Sequence, residues 1–421
     1  MGSDFALKNK IPKNHAGSIR EDHRTSSSFA AYFNIVCVVA GAGTLGLPYA
    51  IMKGGWLALS FFPFTSLVSI YTSKLLIECL YCKPNERLEQ FSDIGEAAFG
   101  KVGRYFAKIF HYAVSLSFSC SYIFLTGDNT FSVLVQLGIQ GNITAFWLKA
   151  IAGLVVLVPF TLCKTLREVT LLGISGAFTT ITVVLCVAIY GGITYDSLAP
   201  INHELFETAT FAQSLGMIAF AYGGSVVYPH VEATMRNPRS WNQIVIYAVA
   251  SVSAIYMLVA TTGYLYYGDG VKDNILNSIS KGPMSIIMYV IFTLHLVVAA
   301  PIYLCSFALE LENFLKIDTQ HMSRTREFII RVLFRSSIVT GLTLFAMFVD
   351  KFSFISGLCG AIANCMTVFL IPVFCHFKLY GWRKRSIWEL VFAAITVFVG
   401  LFGFVVSTYI TIQEELKPEE K

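Results

Sequence analysis

The chain has 421 residues, of which 55% are hydrophobic and 14% are charged, and its mean hydropathy is +0.63. This composition excludes an ordinary soluble globular protein, because runs of about twenty apolar residues with few charges are typical of transmembrane helices. The formal net charge of +5 is explained by basic loops beside a membrane and does not require a nucleic-acid partner.

Eleven apolar segments are predicted to span the membrane as helices, in one all-α domain over residues 28–411. They lie at 28–52, 56–79, 104–136, 147–163, 170–193, 210–230, 244–267, 283–313, 329–349, 353–377 and 388–411. Residues 1–27 are predicted to be a disordered tail before this domain, and 412–421 a short tail after it. Between the second and third spans, residues 84–103 contain a helix start signal at Ser92 and Asp93 and are predicted to form a short interfacial helix that ends at Gly100.

The first span is interrupted by glycines and a proline, in the run Gly41-Ala42-Gly43-Thr44-Leu45-Gly46-Leu47-Pro48. Glycine weakens a helix interior and proline removes a hydrogen-bond donor, although lipid offers no substitute partner. The sixth span is interrupted at Phe220-Ala221-Tyr222-Gly223-Gly224-Ser225. Paired breaks at matching positions of two halves are typical of secondary transporters, and they predict two inverted repeats of five helices plus a peripheral eleventh helix.

The basic residues predict the orientation. Most of the 31 Lys and Arg residues lie in the tail and loops that share one side, which the positive-inside rule places in the cytosol. The N-terminus is then cytosolic and the C-terminus lumenal or extracellular. Asn142-Ile143-Thr144 is a glycosylation sequon in a loop predicted to be non-cytosolic, so Asn142 is a candidate acceptor.

His295, near the middle of the eighth span, is the candidate proton-coupling residue. An ionisable group at that depth is costly and marks a functional hypothesis, and histidine titrates near neutral pH. The alternative is a neutral histidine hydrogen-bonded between helices. The few acidic residues near spans, among them Glu232, Glu310 and Glu312, are interpreted as helix-end or gate residues.

Several stretches resemble the amino acid/auxin permease family of the amino acid–polyamine–organocation superfamily, and within it the vesicular inhibitory and vacuolar amino acid transporter branch. They are LGLPYAI at 45–51 with Gly54-Gly55-Trp56, YTSKLLIECLY at 71–81, Phe220-Ala221-Tyr222, MRNP at 235–238 and the run 357–372. The resemblance implies a LeuT-like fold of eleven spans, a site between the broken first and sixth helices, and alternating access. It also implies a proton gradient, or in some branches sodium, as the driving force.

Such a site must hold both charged ends of an amino acid. Backbone amides at a helix N-terminus suit a carboxylate, and unwound carbonyls suit an ammonium group or a cation. The predicted substrate-binding residues come from both breaks and from the third span, which faces the centre in this fold. They are Gly41, Gly43, Thr44, Leu45, Gly46, Tyr122, Phe220, Ala221, Tyr222, Gly223 and Gly224. The alternative for each glycine is close helix packing.

The predicted function is secondary active transport of small neutral amino acids, coupled to protons by symport or antiport. A transporter-like amino acid sensor and a Na⁺-coupled symporter are the alternatives. No catalytic residue, metal, cofactor, nucleic acid or obligate protein partner is expected; the partners are the amino acid and the bilayer. The expected location is an endomembrane (vesicle, lysosome or vacuole) or the plasma membrane.

Overall fold

The computed structural model describes residue 24 and residues 26–84, 86–139, 141–162, 166–194, 201–317, 321–383 and 385–417. Side chains are described in these ranges except at 166–174. Most of the predicted tail at 1–27 therefore lies outside the described residues.

The described chain is helical almost throughout, and its first half contains six helices. They are α1 (Ser28–Val39), α2 (Gly43–Gly54), α3 (Phe61–Leu80), α4 (Phe91–Leu137), α5 (Ala145–Leu162) and α6 (Leu166–Thr194). The axes of α1 and α2 are bent by 50° at the break between them, where the glycines of the first apolar segment lie.

The second half begins with another broken segment. Its helices are α7 (Phe211–Ala221), α8 (Tyr228–Thr234), α9 (Trp241–Tyr267), α10 (Pro283–Phe314), α11 (Arg324–Phe348), α12 (Phe352–Cys359), α13 (Ile371–Tyr380), α14 (Ile387–Phe402) and α15 (Thr408–Leu416). π-Helical turns join α12 to α13 over Gly360–Leu370 and α14 to α15 over Gly403–Ser407.

The predicted interfacial helix forms the start of α4. The backbone of Gly100 leaves helical geometry with φ of 67°, a conformation that glycine adopts readily. Gly95 and Gly103 pack main chain to main chain across this bend, since a β-carbon on either would come within 2.3 Å of the other's carbonyl oxygen. The helix begins at Phe91, with Gln90 and Asp93 in a capping box, and it bends at Gly100 instead of ending there, because α4 continues to Leu137.

The number of spans stays a prediction. Within the described residues, 9 helices are long and apolar enough to cross a membrane, or 10 if the bent pair of α1 and α2 is one span. The predicted sixth span does not add to this count because α7 and α8 are short helices on either side of a break. The last helix continues to Leu416, beyond the predicted end of the eleventh span.

Both broken segments lie in the middle of the bundle. The half-helix α2 packs against α7, and α9 packs along both α1 and α2. α4 and α10 pack against each other over much of their lengths. The two breaks therefore meet inside the protein rather than at its lipid-facing surface.

Candidate functional site

The first break leaves main-chain groups that other elements satisfy. Its carbonyl at Ala40 accepts a hydrogen bond of 2.9 Å from the hydroxyl of Thr180 in α6. The amide of Gly41 donates to the carbonyl of Val39 at 2.8 Å. Lipid cannot replace these partners, so the break depends on hydrogen bonds made within the protein, one of them from a neighbouring helix.

The second break is held by the π-helical turns between α12 and α13. The side-chain amide of Asn364 donates to the carbonyls of Ala219 and Phe220, each at 3.2 Å. The hydroxyl of Ser225 donates to the carbonyl of Thr367 at 3.1 Å. π-Helical turns frequently occur at functional sites, and this one places a side-chain amide against the end of α7.

Two tyrosines join the breaks to each other. The hydroxyl of Tyr256 lies 2.5 Å from the carbonyl oxygen of Val39 and 2.8 Å from that of Ala221. The hydroxyl of Tyr303 lies 2.9 Å from the carbonyl oxygen of Val38 and 3.4 Å from that of Gly223. A phenol has one proton to donate, so each pair of carbonyls keeps unused acceptor capacity. Such carbonyls suit an ammonium group.

Several predicted glycines lie where any side chain would collide. A β-carbon on Gly43 would lie 2.6 Å from Cα of Ala221, and one on Gly41 would lie 2.5 Å from the hydroxyl oxygen of Tyr122. One on Gly223 would lie 2.4 Å from the amide nitrogen of Asn364. The structure thus brings the two glycine clusters and Tyr122 together. These glycines are packed closely and also lie where the two breaks meet, so helix packing and a part in substrate binding are compatible roles for them.

The other predicted residues surround this contact. Gly224 begins the turn before α8 with φ of 156°, a conformation that L side chains rarely adopt, and a β-carbon there would touch Val38. Thr44 and Leu45 are buried, and a β-carbon on Gly46 would lie 3.0 Å from the ring of Phe352. Tyr222 directs its hydroxyl to Ser253 of α9 at 2.8 Å, so that hydroxyl is occupied by the protein.

Three stacked aromatic rings lie beside the two breaks, on the side that faces α4. The ring of Phe118 stacks on Phe220 with centroids 4.4 Å apart and on Tyr303 with centroids 4.5 Å apart. All eleven predicted substrate-binding residues are buried. In this conformation the two breaks are therefore closed to solvent. Phe118 and Tyr303 were not singled out from the sequence.

Nearby serines of α4 bond within their own helix. Ser119 and Ser121 donate to the carbonyls four residues earlier, at 2.7 and 2.9 Å. Such back-bonding is a common way for a helix to accommodate buried serines.

His295 is buried in α10, 4% exposed. Neither of its ring nitrogens has a hydrogen-bond partner among the described residues. A β-carbon on Gly176 would lie 2.7 Å from Sγ of Cys37 and 2.8 Å from the imidazole, so His295 faces α6 and α1 just before the first break. Whether the ring is the coupling residue or a neutral packing histidine stays a prediction.

Charged residues hold the end of the second broken segment. Glu232 of α8 is fully buried and pairs with Arg87, whose Nη2 lies 2.6 Å from its carboxylate. Tyr81 donates to the same carboxylate at 2.5 Å. Burial and the charge of Glu232 raise the pKa of Tyr81 to about 12, so the phenol stays a neutral donor at physiological pH. The sequence identified Glu232 but not its partners.

This arrangement, in which two broken helices meet inside an all-α bundle, is the LeuT-like fold. The chain superposes on Mhp1, a nucleobase-cation-symport-1 family transporter, in a closed conformation with bromovinylhydantoin bound. The TM-score is 0.61 with 13% sequence identity, over 96% of this chain and 95% of that one. It also superposes on MhsT in complex with L-phenylalanine, with a TM-score of 0.58 and 11% identity over 92% and 99% of the two chains. The predicted all-α, LeuT-like fold class is confirmed, and the count of eleven helices stays a prediction.

The chain belongs to the transmembrane amino acid transporter protein family, which it matches over residues 24–413. The predicted family is thereby confirmed, and the protein is not an enzyme. Its relatives include amino acid transporters AVT1D and AVT1I of Arabidopsis thaliana. AVT1D is 25% identical, over 88% of this chain and 66% of its own length. AVT1I is 24% identical, over 94% and 96%. The vesicular inhibitory amino acid transporter of Xenopus laevis is 25% identical, over 89% and 74%.

Proposed function

We propose that the protein uses a proton gradient to move small neutral amino acids across an endomembrane by alternating access. Family membership supports amino acids as the cargo, and the vesicular relative supports an endomembrane. The observation that most supports a site at the breaks is their direct contact, in which Tyr256 and Tyr303 each bridge a carbonyl of the first break and one of the second.

The two ends of an amino acid would be bound by different parts of this contact. Amides at the start of α2 would bind the carboxylate, because a helix N-terminus attracts anions. Those of Thr44 and Leu45 donate to the carbonyls of Gly41 and Ala42 at 3.1 and 3.2 Å in this structure, so binding would exchange these bonds for bonds to the substrate. The carbonyls that share the two phenols would accept from the ammonium group. The glycines bring both sets within reach of one small molecule.

The charge and size of the cargo follow from what surrounds the breaks. Four buried carboxylates in the described chain, Glu232, Glu310, Glu312 and Glu327, each pair with a basic side chain at a helix end. A cationic side chain would need a carboxylate of its own. The stack of Phe118 on Phe220 limits the space beside the breaks and favours a small apolar side chain.

The proposed coupling residue is His295. Its ring lies beside Gly176 of α6 and near Cys37 of α1, and neither nitrogen has a hydrogen-bond partner among the described residues. Uptake of a proton there would change the charge close to the first broken segment.

Purified protein in liposomes tests the proposal. Radiolabelled small neutral, large neutral, acidic and cationic amino acids are supplied under an imposed pH gradient, with the membrane potential clamped and Na⁺ present or absent. We expect accumulation of small neutral amino acids above equilibrium, abolished by a protonophore and unaffected by Na⁺. If accumulation requires a pH gradient that drives protons into the liposomes, the protein is a symporter; if it requires one that drives protons out, the protein is an antiporter.

Three outcomes would overturn the proposal. Uphill uptake that requires Na⁺ would indicate the sodium symporter. Binding of amino acid without flux would indicate a sensor. Flux that no gradient can drive uphill would indicate a passive pathway.

A further inference from the structure

An ion pair joins the end of the broken first segment to the last described helix. Nζ of Lys53, in the last turn of α2, donates to the carboxylate of Glu414 in α15 at 3.1 Å. The exposed fractions of the two side chains are 17% and 22%, so water and salt screen this pair only in part. The half-helix α2 is thereby attached to a helix that was predicted to be peripheral.

α15 also packs on the second broken segment, through small side chains. It contacts α7 and α12. A β-carbon on Gly216 of α7 would lie 2.4 Å from the hydroxyl oxygen of Ser407, in the π-helical turn before α15, and one on Gly357 of α12 would lie 3.2 Å from the side chain of Thr411. The approach of α15 to α7 is therefore close.

This contact with α7 is made by packing rather than by hydrogen bonds. Ser407 and Thr411 are 0% and 1% exposed, yet their hydroxyls have no hydrogen-bond partner among the described residues. Within the described chain, Glu414 is the residue of α15 whose side chain bonds another helix. The polar attachment of α15 to the broken segments therefore depends on the pair with Lys53.

The start of α7 holds the same end of α2 from another side. The hydroxyl of Thr210, just before α7, donates to the carbonyl of Lys53 at 2.6 Å. A β-carbon on Gly54 would lie 2.7 Å from Oγ of Ser214 in α7. Lys53 thus contacts α7 through its main chain and α15 through its ammonium group. The basic residues of the chain place this end of the bundle away from the cytosol.

We propose that Glu414 is a positioning residue that holds α2 against α7 on the non-cytosolic side. While the pair with Lys53 is intact, α2 stays beside α7 and the two breaks are closed to solvent from that side. When the pair separates, α2 is free to move away from α7. The inference rests on the proposed function, because alternating access requires this movement. Its physical claim concerns only the attachment of α2.

Hydrogen exchange measures this attachment without transport. The amides of Trp56 and Leu57, just after α2, donate to the carbonyls of Glu204 and Leu205, each at 3.0 Å. These bonds join the end of α2 to the segment before α7, so they should break when α2 moves away. Amide deuterium uptake in peptides covering 54–60 is followed by mass spectrometry on the full chain in nanodiscs at about pH 7, where lysine and glutamate are both charged.

Loss of either charge should increase this exchange. We expect Glu414→Gln and Lys53→Gln each to raise the rate in 54–60 about two- to five-fold, as expected for a partly exposed ion pair, and to leave the rate in α9 unchanged. The control is Lys417→Gln. Lys417 contacts Glu414 from within the same terminal segment, so its removal should leave α2 attached.

A charge exchange distinguishes the ion pair from a general effect on packing. It is made in the Lys417→Gln background, because Lys417 would repel a lysine placed at position 414. Lys53→Glu should raise the rate in 54–60, since it faces Glu414 with a like charge, and Lys53→Glu combined with Glu414→Lys should return it toward the wild type. Wild-type rates in both single Gln variants, or no recovery in the exchanged pair, overturn the proposal.

The liposome assay separates this inference from the proposed function. If no amino acid is accumulated but exchange in 54–60 responds to the pair as expected, the proposed function fails and the role of Glu414 remains. If accumulation occurs and the exchange does not respond, the transport proposal stands and the role of Glu414 is rejected.

Discussion

Gly43 contacts the main chain of Ala221, so that a β-carbon on the glycine would lie 2.6 Å from the alanine Cα. The contact is between main-chain atoms of both segments, so no side chain can rotate away to make room for an added carbon. The contact joins two breaks that are 178 residues apart by their numbering, from 43 to 221, and it fixes how closely the two broken segments approach.

Substitution of Gly43 should therefore abolish transport. We expect Gly43→Val to separate α2 from α7, at a cost in folding stability of about 1–3 kcal/mol typical of overpacking, and to reduce uptake to background in liposomes. The matched control is Gly341→Ala in α11, where no described atom lies within 4 Å of the added carbon; it should transport normally. Normal uptake by Gly43→Val would refute a site at the breaks.

Gly41 and Tyr122 should behave as a pair. A β-carbon on Gly41 meets the phenol oxygen at 2.5 Å, and removal of that oxygen makes room for it. We expect Gly41→Ala to weaken substrate binding and Gly41→Ala combined with Tyr122→Phe to recover part of the loss. Equilibrium binding of labelled amino acid to the four proteins of this double-mutant cycle measures the coupling. Strictly additive effects would show that the two residues act independently.

Tyr256→Phe should destabilise the closed centre. Its hydroxyl is removed from two buried carbonyls, those of Val39 and Ala221, and a buried acceptor left unsatisfied costs about 1–3 kcal/mol. We expect a lower thermal midpoint and slower uptake. Tyr247→Phe on the same helix, where the tyrosine is 66% exposed, is the control. Equal midpoints for the two variants would contradict the bridging role.

His295→Gln should separate proton coupling from substrate recognition. Glutamine keeps a polar side chain of similar size but does not titrate, so we expect exchange of amino acid at equal pH to survive while accumulation driven by a pH gradient is lost. The control is His203→Gln, a histidine outside the described helices that contacts the carbonyl of Tyr264. Unchanged gradient-driven accumulation in well-expressed His295→Gln protein would reject this role.

Asn142 should be glycosylated when the protein is made in a secretory system. The side chain is exposed just before α5, and the orientation predicted by the basic residues puts it on the non-cytosolic side. An endoglycosidase should increase electrophoretic mobility of the wild type and leave Asn142→Gln unaffected. A glycan placed instead on an acceptor introduced into the loop at 321–323 would reverse the predicted orientation.

The sequence was most informative where the main chain itself is under constraint. Clustered glycines at 41–46 and 223–224, with Pro48 nearby, predicted the breaks because these residues weaken or interrupt a helix that lipid cannot repair. Gly100 was predicted as the end of an interfacial helix, and the structure has a bend there. Composition and the family resemblance then supplied the fold.

The partners of these breaks could not be predicted in the same way. Tyr256 and Tyr303 lie 217 and 265 residues from the carbonyls of Val39 and Val38 that they contact, and each belongs to a helix rich in other aromatic residues. Nothing in local sequence distinguishes them from tyrosines that face lipid, such as Tyr247. The pairing of Glu310 with His111 was missed for the same reason, since only packing of α4 on α10 brings the two together.

The single proton on the Tyr256 phenol has a consequence for the two carbonyls that it faces. The oxygen lies within hydrogen-bond distance of the carbonyls of both Val39 and Ala221, but the phenol can donate to only one of them at a time. One of these two buried acceptors therefore always has capacity for another donor, which the protein would have to supply from a ligand or from a different side chain.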